Sequence, residues 1–348
     1  MAGGAHDTER MSEPSLQQMI LLASDVRRAG EYPGALRRAV GRGEMVQLSR
    51  GAYMQQSDWA ALDDIEKYRC RVNAAVLASR NNPTVSHASA AVLWGVPMIG
   101  ALPKYVHVLS SPSTGTRLEG LIRRHGTGFP LVGVEELDAI NVTSFTRTVV
   151  EFAHMMPFIN AVVALDWALR PTTPRRPKPM VTRDELFSMI DDLGIIRGRR
   201  ELVRALEFAN PLSGSPGESI SRVNIAVAGL PEPELQKEFS VARGRIAYVD
   251  FWWPDENLIG EFDGVEKYVL DEYTQGKSPA DVFKAEKRRE DRLRATSTQP
   301  RMSRWGWTTA NSVDSLRELL VAAGLPEVRD NSVAVFDELN RSRRAPTS

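Results

Sequence analysis

The chain has 348 residues, 25% of them charged and 42% hydrophobic, which is length for two or three domains with cores of their own. Its 44 basic and 44 acidic residues cancel, which argues against an indiscriminate polyanion binder, and its single cysteine, Cys70, excludes an internal disulfide and any cysteine-cluster metal site. No apolar run is long enough to span a bilayer and MAGGAHDTER lacks a secretory leader pattern, so no membrane partner is expected and the expected compartment is the cytoplasm.

The balanced charge is locally segregated. Ser15 to Arg50 holds six arginines against three acidic residues, and Lys284 to Arg304 holds eight basic residues against three acidic ones. Such patches are what phosphate contacts require. Residues 1–14 are polar and read as disordered. SLQQMILLASDVRRAG has helical periodicity through Met19, Leu22 and Val26, and Ser24-Asp25 can cap a second short helix inside it. YPGALRRAVGRG predicts a third helix, with Pro33 near its first turn and Gly43 ending it. GEMVQLSRGAYM predicts a hairpin turning at Arg50-Gly51. Three short helices and a hairpin make a winged helix-turn-helix over residues 15–58, whose last helix enters the major groove while the hairpin lies along the backbone. Arg37, Arg38 and Arg42 then sit on or beside the reading helix, and Arg50 at the wing tip. The alternative is a small helical lobe with solvated arginines.

Residues 59–170 read as a mixed α/β segment. DIEKYRCRVNAAVLASR and TVSHASAAVLWGVP predict helices, KYVHVLSS and LIRRHG predict strands, and INVTSFTRTVVEFAHMM runs from strand into a helix that Ser144 or Thr146 can cap. FINAVVALDWALR resumes as helix after Pro157. Four prolines in nine residues mark PTTPRRPKP as a linker, residues 171–181. A helical connector spans 182–209, and PLSGSPG is a loop that reaches Glu218.

From residue 210 to 325 the predicted order is α-β-β-β-α-β: ESISRVNIAVAGL, two strands in EFSVARGRIAYVDFWWP, a third in NLIGEFDG, the basic helix SPADVFKAEKRREDRLRA, and the strand RMSRWGWTTA. Residues 326–348 are a tail. Carboxylates stand where buried strand is expected: Asp250 in YVDFWWP, Glu261 and Asp263 in GEFDG. A carboxylate out of water is costly unless it is paired or binds a cation. Residues 261 and 263 are two apart on a strand and point to one face, which Asp250 on the neighbouring strand can reach. Mg²⁺ or Mn²⁺ suits such an all-oxygen set. The alternative is an edge hairpin with solvated acids, which the apolar partners Val249, Phe251, Leu258 and Ile259 disfavour.

This order, with these carboxylates on the second and third strands, resembles the PD-(D/E)XK nuclease superfamily, and more closely its branch similar to very-short-patch repair endonucleases. The resemblance covers about residues 210–320. It implies a metal-dependent phosphodiester hydrolase. Asp250, Glu261 and Asp263 would be the metal ligands and Glu218 the helix-borne acid. Lys267 would act at the attacking water, and Arg288 and Arg289 would contact phosphate. One departure stands out: the superfamily has lysine where this chain has Asp263, and Lys267 is the nearby replacement. The N-terminal half, through ALRRAVGRGEMVQLSRGAYM, VSHASAAVLWGVP, YVHV and VTSFTRTVVEFA, resembles the type IV (abortive-infection) antitoxin family over about residues 15–170. That likeness implies DNA binding by the winged helix and a toxin or phage-defence partner.

His87 reads as a capping or packing residue rather than a general base, Ser144, Thr146 and Arg147 as a helix cap rather than a phosphate clamp, and the five histidines have no zinc spacing. Trp252, Trp253, Trp305 and Trp307 read mostly as core. The expectation is therefore an α+β multidomain protein: an N-terminal winged helix, a middle α/β domain and a C-terminal restriction-endonuclease-like domain. Its partner is DNA, with a homodimer as a further expectation. The rival readings are a transcriptional regulator or antitoxin with an inactive nuclease-like domain, and an interaction module that binds a toxin through residues 60–210.

Overall fold

The computed structural model describes residues 16–79, 81–110, 115–126, 133–173, 176–195, 197–241, 245–264, 293, 296 and 299–327. Lys267, Arg288 and Arg289 lie outside these residues, as does all of the expected basic helix except Leu293. The protein is mixed α+β and divides into two compact units, residues 1–95 with 100–144, and 96–99 with 145–348. The division falls between Ser144 and Phe145, inside the segment that the sequence reads as one α/β domain.

In the first unit, β1 (Leu21–Leu22) leads into α1 (Ala23–Arg28) and α2 (Gly34–Gly41), followed by β2 (Met45–Ser49) and β3 (Ala52–Gln55). The strands form a sheet of order β1-β3-β2. The helix expected from Ser15 is replaced by a turn at 16–19 and β1, because Leu21 and Leu22 pair with Tyr53 and Ala52 across the sheet. Ser24 makes no cap: α1 starts at Leu22 without a side-chain hydrogen bond. α2 follows Pro33, buries Leu36 and Ala39, and presents Arg37 and Arg38 to solvent. Leu36 and Ala39 share one apolar cluster with Met45 and Tyr53 of the hairpin, so the helix is fixed to the sheet by that stripe. The hairpin turns through Gly51 at φ +84, a left-handed conformation that glycine adopts without strain.

The same unit continues with α3 (Gln56–Ala61) and α4 (Asp64–Leu77), the latter opened by a capping box between Asp63 and Glu66. Then come α5 (His87–Trp94), β4 (Val106–Ser110), β5 (Arg117–Glu119), β6 (Ile122–Gly126), β7 (Val134–Leu137) and β8 (Ile140–Thr143). β4 and β6 run parallel in a sheet of order β4-β6-β5, and Val85 bridges to both Val108 and Val142.

The second unit begins with α6 (Phe145–Met155) and α7 (Phe158–Leu169), then pairs the proline-rich residues as a small hairpin, β9 (Pro171–Thr173) with β10 (Arg176–Pro179). The helical connector over 182–209 consists of two helices, α8 (Arg183–Asp192) and α9 (Arg199–Phe208), with Gly194 and Gly198 at positive φ between them. α10 (Pro216–Val227) starts before Glu218, with Ser215 as its cap and Pro216 at its first turn, so the expected loop ends earlier than the sequence indicates.

Four strands follow: β11 (Glu234–Val241), β12 (Arg245–Trp253), β13 (Leu258–Phe262) and β14 (Arg301–Trp305), in the sheet order β11-β12-β13-β14. The first three are antiparallel neighbours and β14 runs parallel to β13. RMSRWGWTTA is strand only to Trp305; α11 (Trp307–Ala310) takes the rest, and α12 (Val313–Ala322) closes the described chain. Phe251, Trp253, Leu258 and Trp305 share one core with Ile220 and Ile225 of α10 and Leu316 and Leu320 of α12. Val249, Trp252 and Ile259 form a second cluster with Leu293. Trp252, Trp253 and Trp305 are thus core residues.

Candidate active site

The start of α10 is locked over the sheet. Gly217 lies so close to Phe262 of β13 that an added Cβ would stand 2.0 Å from its ring atoms. Trp305 of β14 donates its Nε1–H to Ser221 Oγ at 2.8 Å, and Ser221 donates on to the Gly217 carbonyl at 2.7 Å. From the other side, buried Arg222 bonds both carboxylate oxygens of buried Asp166 at 2.9 Å, while Asp166 also accepts the Asn210 N–H at 2.6 Å. The 210–215 loop and the first turn of α10 are therefore held at both ends.

Glu218 sits on that first turn. Its backbone N–H donates to Ser215 Oγ at 3.2 Å, and its carboxylate turns back to accept the Gly214 N–H at 2.7 Å. Its Oε2 also accepts from Gln236 Nε2 of β11 at 3.1 Å. The same amide nitrogen lies 3.3 Å from Asp250 Oδ1 of β12, and Asp250 Oδ2 accepts the Phe262 N–H at 2.9 Å. Two carboxylates from separate elements thus converge on one amide. Burial, and then the neighbouring Asp250 carboxylate, push the Glu218 carboxyl up to about 7, against the lowering effect of its bonds to Gly214, Ser215 and Gln236.

Glu261 lies one step along the sheet from the Phe251–Gly260 pair, which puts it opposite Asp250, and it is buried. On its other side the parallel register places Arg304 of β14 beside it. Asp263 follows the end of β13, is exposed, and donates its N–H to the Trp305 carbonyl at 2.9 Å. Among the described residues no group of three or more His, Cys, Asp or Glu side chains gathers as a metal cluster. The convergence of Glu218 with Asp250 is the part of the expected acidic set that the geometry brings together directly.

Gln236 is the residue that sequence reading missed. It is the third residue of β11, at φ +48, directly opposite Asp250 in the register set by Leu235–Phe251 and Lys237–Val249. The arginines expected at the N-terminal surface are exposed, as Arg37, Arg38 and Arg50 show; Arg42 pairs with Glu44 through two 2.7 Å hydrogen bonds.

A second cluster, in the first unit, also escaped the spacing argument. His87, His107 and His125 come together from α5, β4 and β6. The rings of His87 and His125 stack at 3.9 Å, and His125 Nε2 lies 3.0 Å from His107 Nδ1. β4 and β6 pair His107 with Arg123, so His125, two residues on, is its diagonal neighbour on the same face. His107 is buried, and burial, with lesser contributions from His125 and Arg123, pulls its imidazole down to about 3.

No family model matches the chain. Two curated proteins of Mycobacterium tuberculosis, uncharacterized protein MT2308 and uncharacterized protein Rv2248, are each 34% identical over 122 residues. The match covers 34% of this chain and 41% of each relative's length. No helix among the described residues is long and apolar enough to cross a membrane.

Proposed function

We propose that this chain is a DNA-binding, Mg²⁺- or Mn²⁺-dependent endonuclease that hydrolyses phosphodiester bonds. The observation that carries the reading is the meeting of Glu218 and Asp250 at the Gln236 amide, with Glu261 next in register. The donor set fits the cation. Mg²⁺ takes hard oxygens, and one or two carboxylates with substrate phosphate and water suffice. Burial first, and the neighbouring Asp250 carboxylate second, raise Glu218's proton affinity, and a cation bound there would offset both.

Asp250, Glu261 and Asp263 would hold the metal, with Glu218 completing the acidic set. Bound there, a divalent ion polarises the scissile phosphate and lowers the pKa of an attacking water. Lys267 would orient that water, and Arg288 and Arg289 would take phosphate, as the resemblance implies. The order α10-β11-β12-β13-β14, with β13 and β14 parallel, supports a restriction-endonuclease-like core. The order β1-β3-β2, with α1 and α2 inserted between β1 and β2, supports a winged helix with Arg37, Arg38 and Arg50 at the phosphates and Arg42 beside them. A site that cuts one strand at a time serves both strands through a homodimer or two events. A toxin or phage-defence partner rests on the antitoxin likeness alone.

Supercoiled plasmid incubated with the protein and Mg²⁺ or Mn²⁺ tests the reading. Nicking that needs metal and disappears in Asp250→Ala and Glu261→Ala is the expected result. Absence of nicking with either metal, with plasmid binding retained, leaves the second reading: a regulator or antitoxin with an inactive nuclease-like domain. That reading draws on Asp263 at the superfamily's lysine position, and on the two Asp250 oxygens that already accept protein N–H bonds.

A further inference from the structure

We propose that Gln236 is a positioning residue that sets the divalent-cation affinity of the Glu218–Asp250 pair; the inference rests on the metal-dependent reading above. The amide nitrogen reaches Glu218 Oε2 at 3.1 Å and Asp250 Oδ1 at 3.3 Å, so one –NH₂ group spans two carboxylates on different elements. Its two hydrogens match the two acceptors, and without a charge of its own it brings donor density between two like charges. Each carboxylate has a second anchor: Gly214 N–H on the same Oε2 of Glu218, and Phe262 N–H on the other oxygen of Asp250, Oδ2. The Glu218 carboxylate is thus clamped by the Gly214 backbone and the Gln236 amide, with Oε1 outside both bonds.

The backbone at Gln236 strengthens the case that the side chain is held there for a purpose. A left-handed φ of +48 at the third residue of β11 is unfavourable for a residue with a Cβ. Glycine would relieve it, yet the chain keeps a long amide. Gly214 lies against the pair: a Cβ there would stand 3.0 Å from Glu218 Oε1 and 3.5 Å from Gln236 Nε2. Residues that orient metal ligands through a hydrogen bond change metal affinity on the order of 10- to 100-fold when removed. Gln236 would therefore act through Glu218 and Asp250 rather than as a metal ligand.

Mn²⁺ titration by calorimetry on the full chain, paired with thermal unfolding, tests this. The proteins are wild type, Gln236→Gly, Gln236→Asn and Asp250→Ala. Gln236→Gly removes the amide and the backbone strain together, so lost hydrogen bonds and relieved strain oppose each other in the melting temperature, while Mn²⁺ binding is expected to weaken tenfold or more. Gln236→Asn keeps an amide, tolerates left-handed φ, and is one methylene too short to span both acceptors, so its affinity should fall between the two. A Gln236→Gly variant that binds Mn²⁺ as tightly as wild type, while Asp250→Ala loses binding, would overturn the role of Gln236 and leave the metal site standing. A wild type that binds no Mn²⁺ would overturn both the metal-dependent reading and this inference.

Discussion

At the scale of single residues, two buried groups titrate with opposite consequences. Glu218 is pushed up to about 7 from the ordinary 4.5, so between those values the folded chain holds more protons than the unfolded one. Its contribution to stability is present below pH 4.5 and lost as pH rises through 7. His107 is pulled down to about 3 from 6.5, so the unfolded chain holds the extra proton across that window. Stability from this group is present above pH 6.5 and lost as pH falls toward 3. Chemical denaturation across pH should therefore show Glu218→Gln gaining on wild type as pH rises, reaching roughly 2–3 kcal/mol at pH 8. Equal stabilities of the two proteins at pH 5 and pH 8 would contradict the placement of Glu218 beside Asp250.

The sequence disclosed these residues unevenly. Asp250 and Glu261 stood out because carboxylates within apolar strands demand an explanation. Gln236 did not, because a glutamine in ELQKEF reads as one more solvated strand position, and no local pattern encodes a left-handed φ. The histidines failed the spacing test for a different reason. Their proximity comes from the parallel register of β4 with β6 and the start of α5 beside them, which are long-range facts.

Among the elements, α10 and the strands beneath it stand in the order read from the sequence, with α10 starting two residues early, whereas β1 was not foreseen. SLQQMILL has a helical stripe, yet Leu21 and Leu22 gain ladder bonds to β3 by going extended, and tertiary pairing overrides propensity. The seating of α10 depends on a residue that sequence alone marks only as a loop glycine. Gly217→Ala puts a methyl into the Phe262 ring, so the ring or the start of the helix must shift. The expected cost is about 1–3 kcal/mol of stability, read from the denaturation midpoint. It should be accompanied by weaker metal binding, because Glu218 moves with the helix. Unchanged stability in Gly217→Ala would mean that the first turn of α10 is not held against β13.

For the molecule as a whole, zero net charge would leave the proposed DNA affinity to local surfaces. Arg37 and Arg38 project from α2 opposite its buried Leu36 and Ala39. Replacing both by alanine should weaken duplex binding at every sequence tested. It should also flatten the dependence of log affinity on log salt by about one for each phosphate that is no longer neutralised. An unaltered salt slope would remove α2 from the DNA interface. The α+β class was legible from element order, but the division at Ser144 was not. Prolines at 171–179 look like a linker, and the actual boundary falls within a continuous strand-to-helix passage from β8 into α6.

We propose that the carboxylates around Asp250 serve divalent-cation-dependent cleavage of nucleic acid. Single-turnover cleavage of an end-labelled DNA duplex, with Mg²⁺ or Mn²⁺ and with a chelator, tests it most directly when wild type is run beside Asp250→Asn. The account predicts metal-dependent product from wild type and a loss of at least a hundredfold in rate for Asp250→Asn, with both proteins equally folded and equally able to bind the duplex. Cleavage that persists at the wild-type rate in Asp250→Asn, or no product from wild type with either metal, would contradict it.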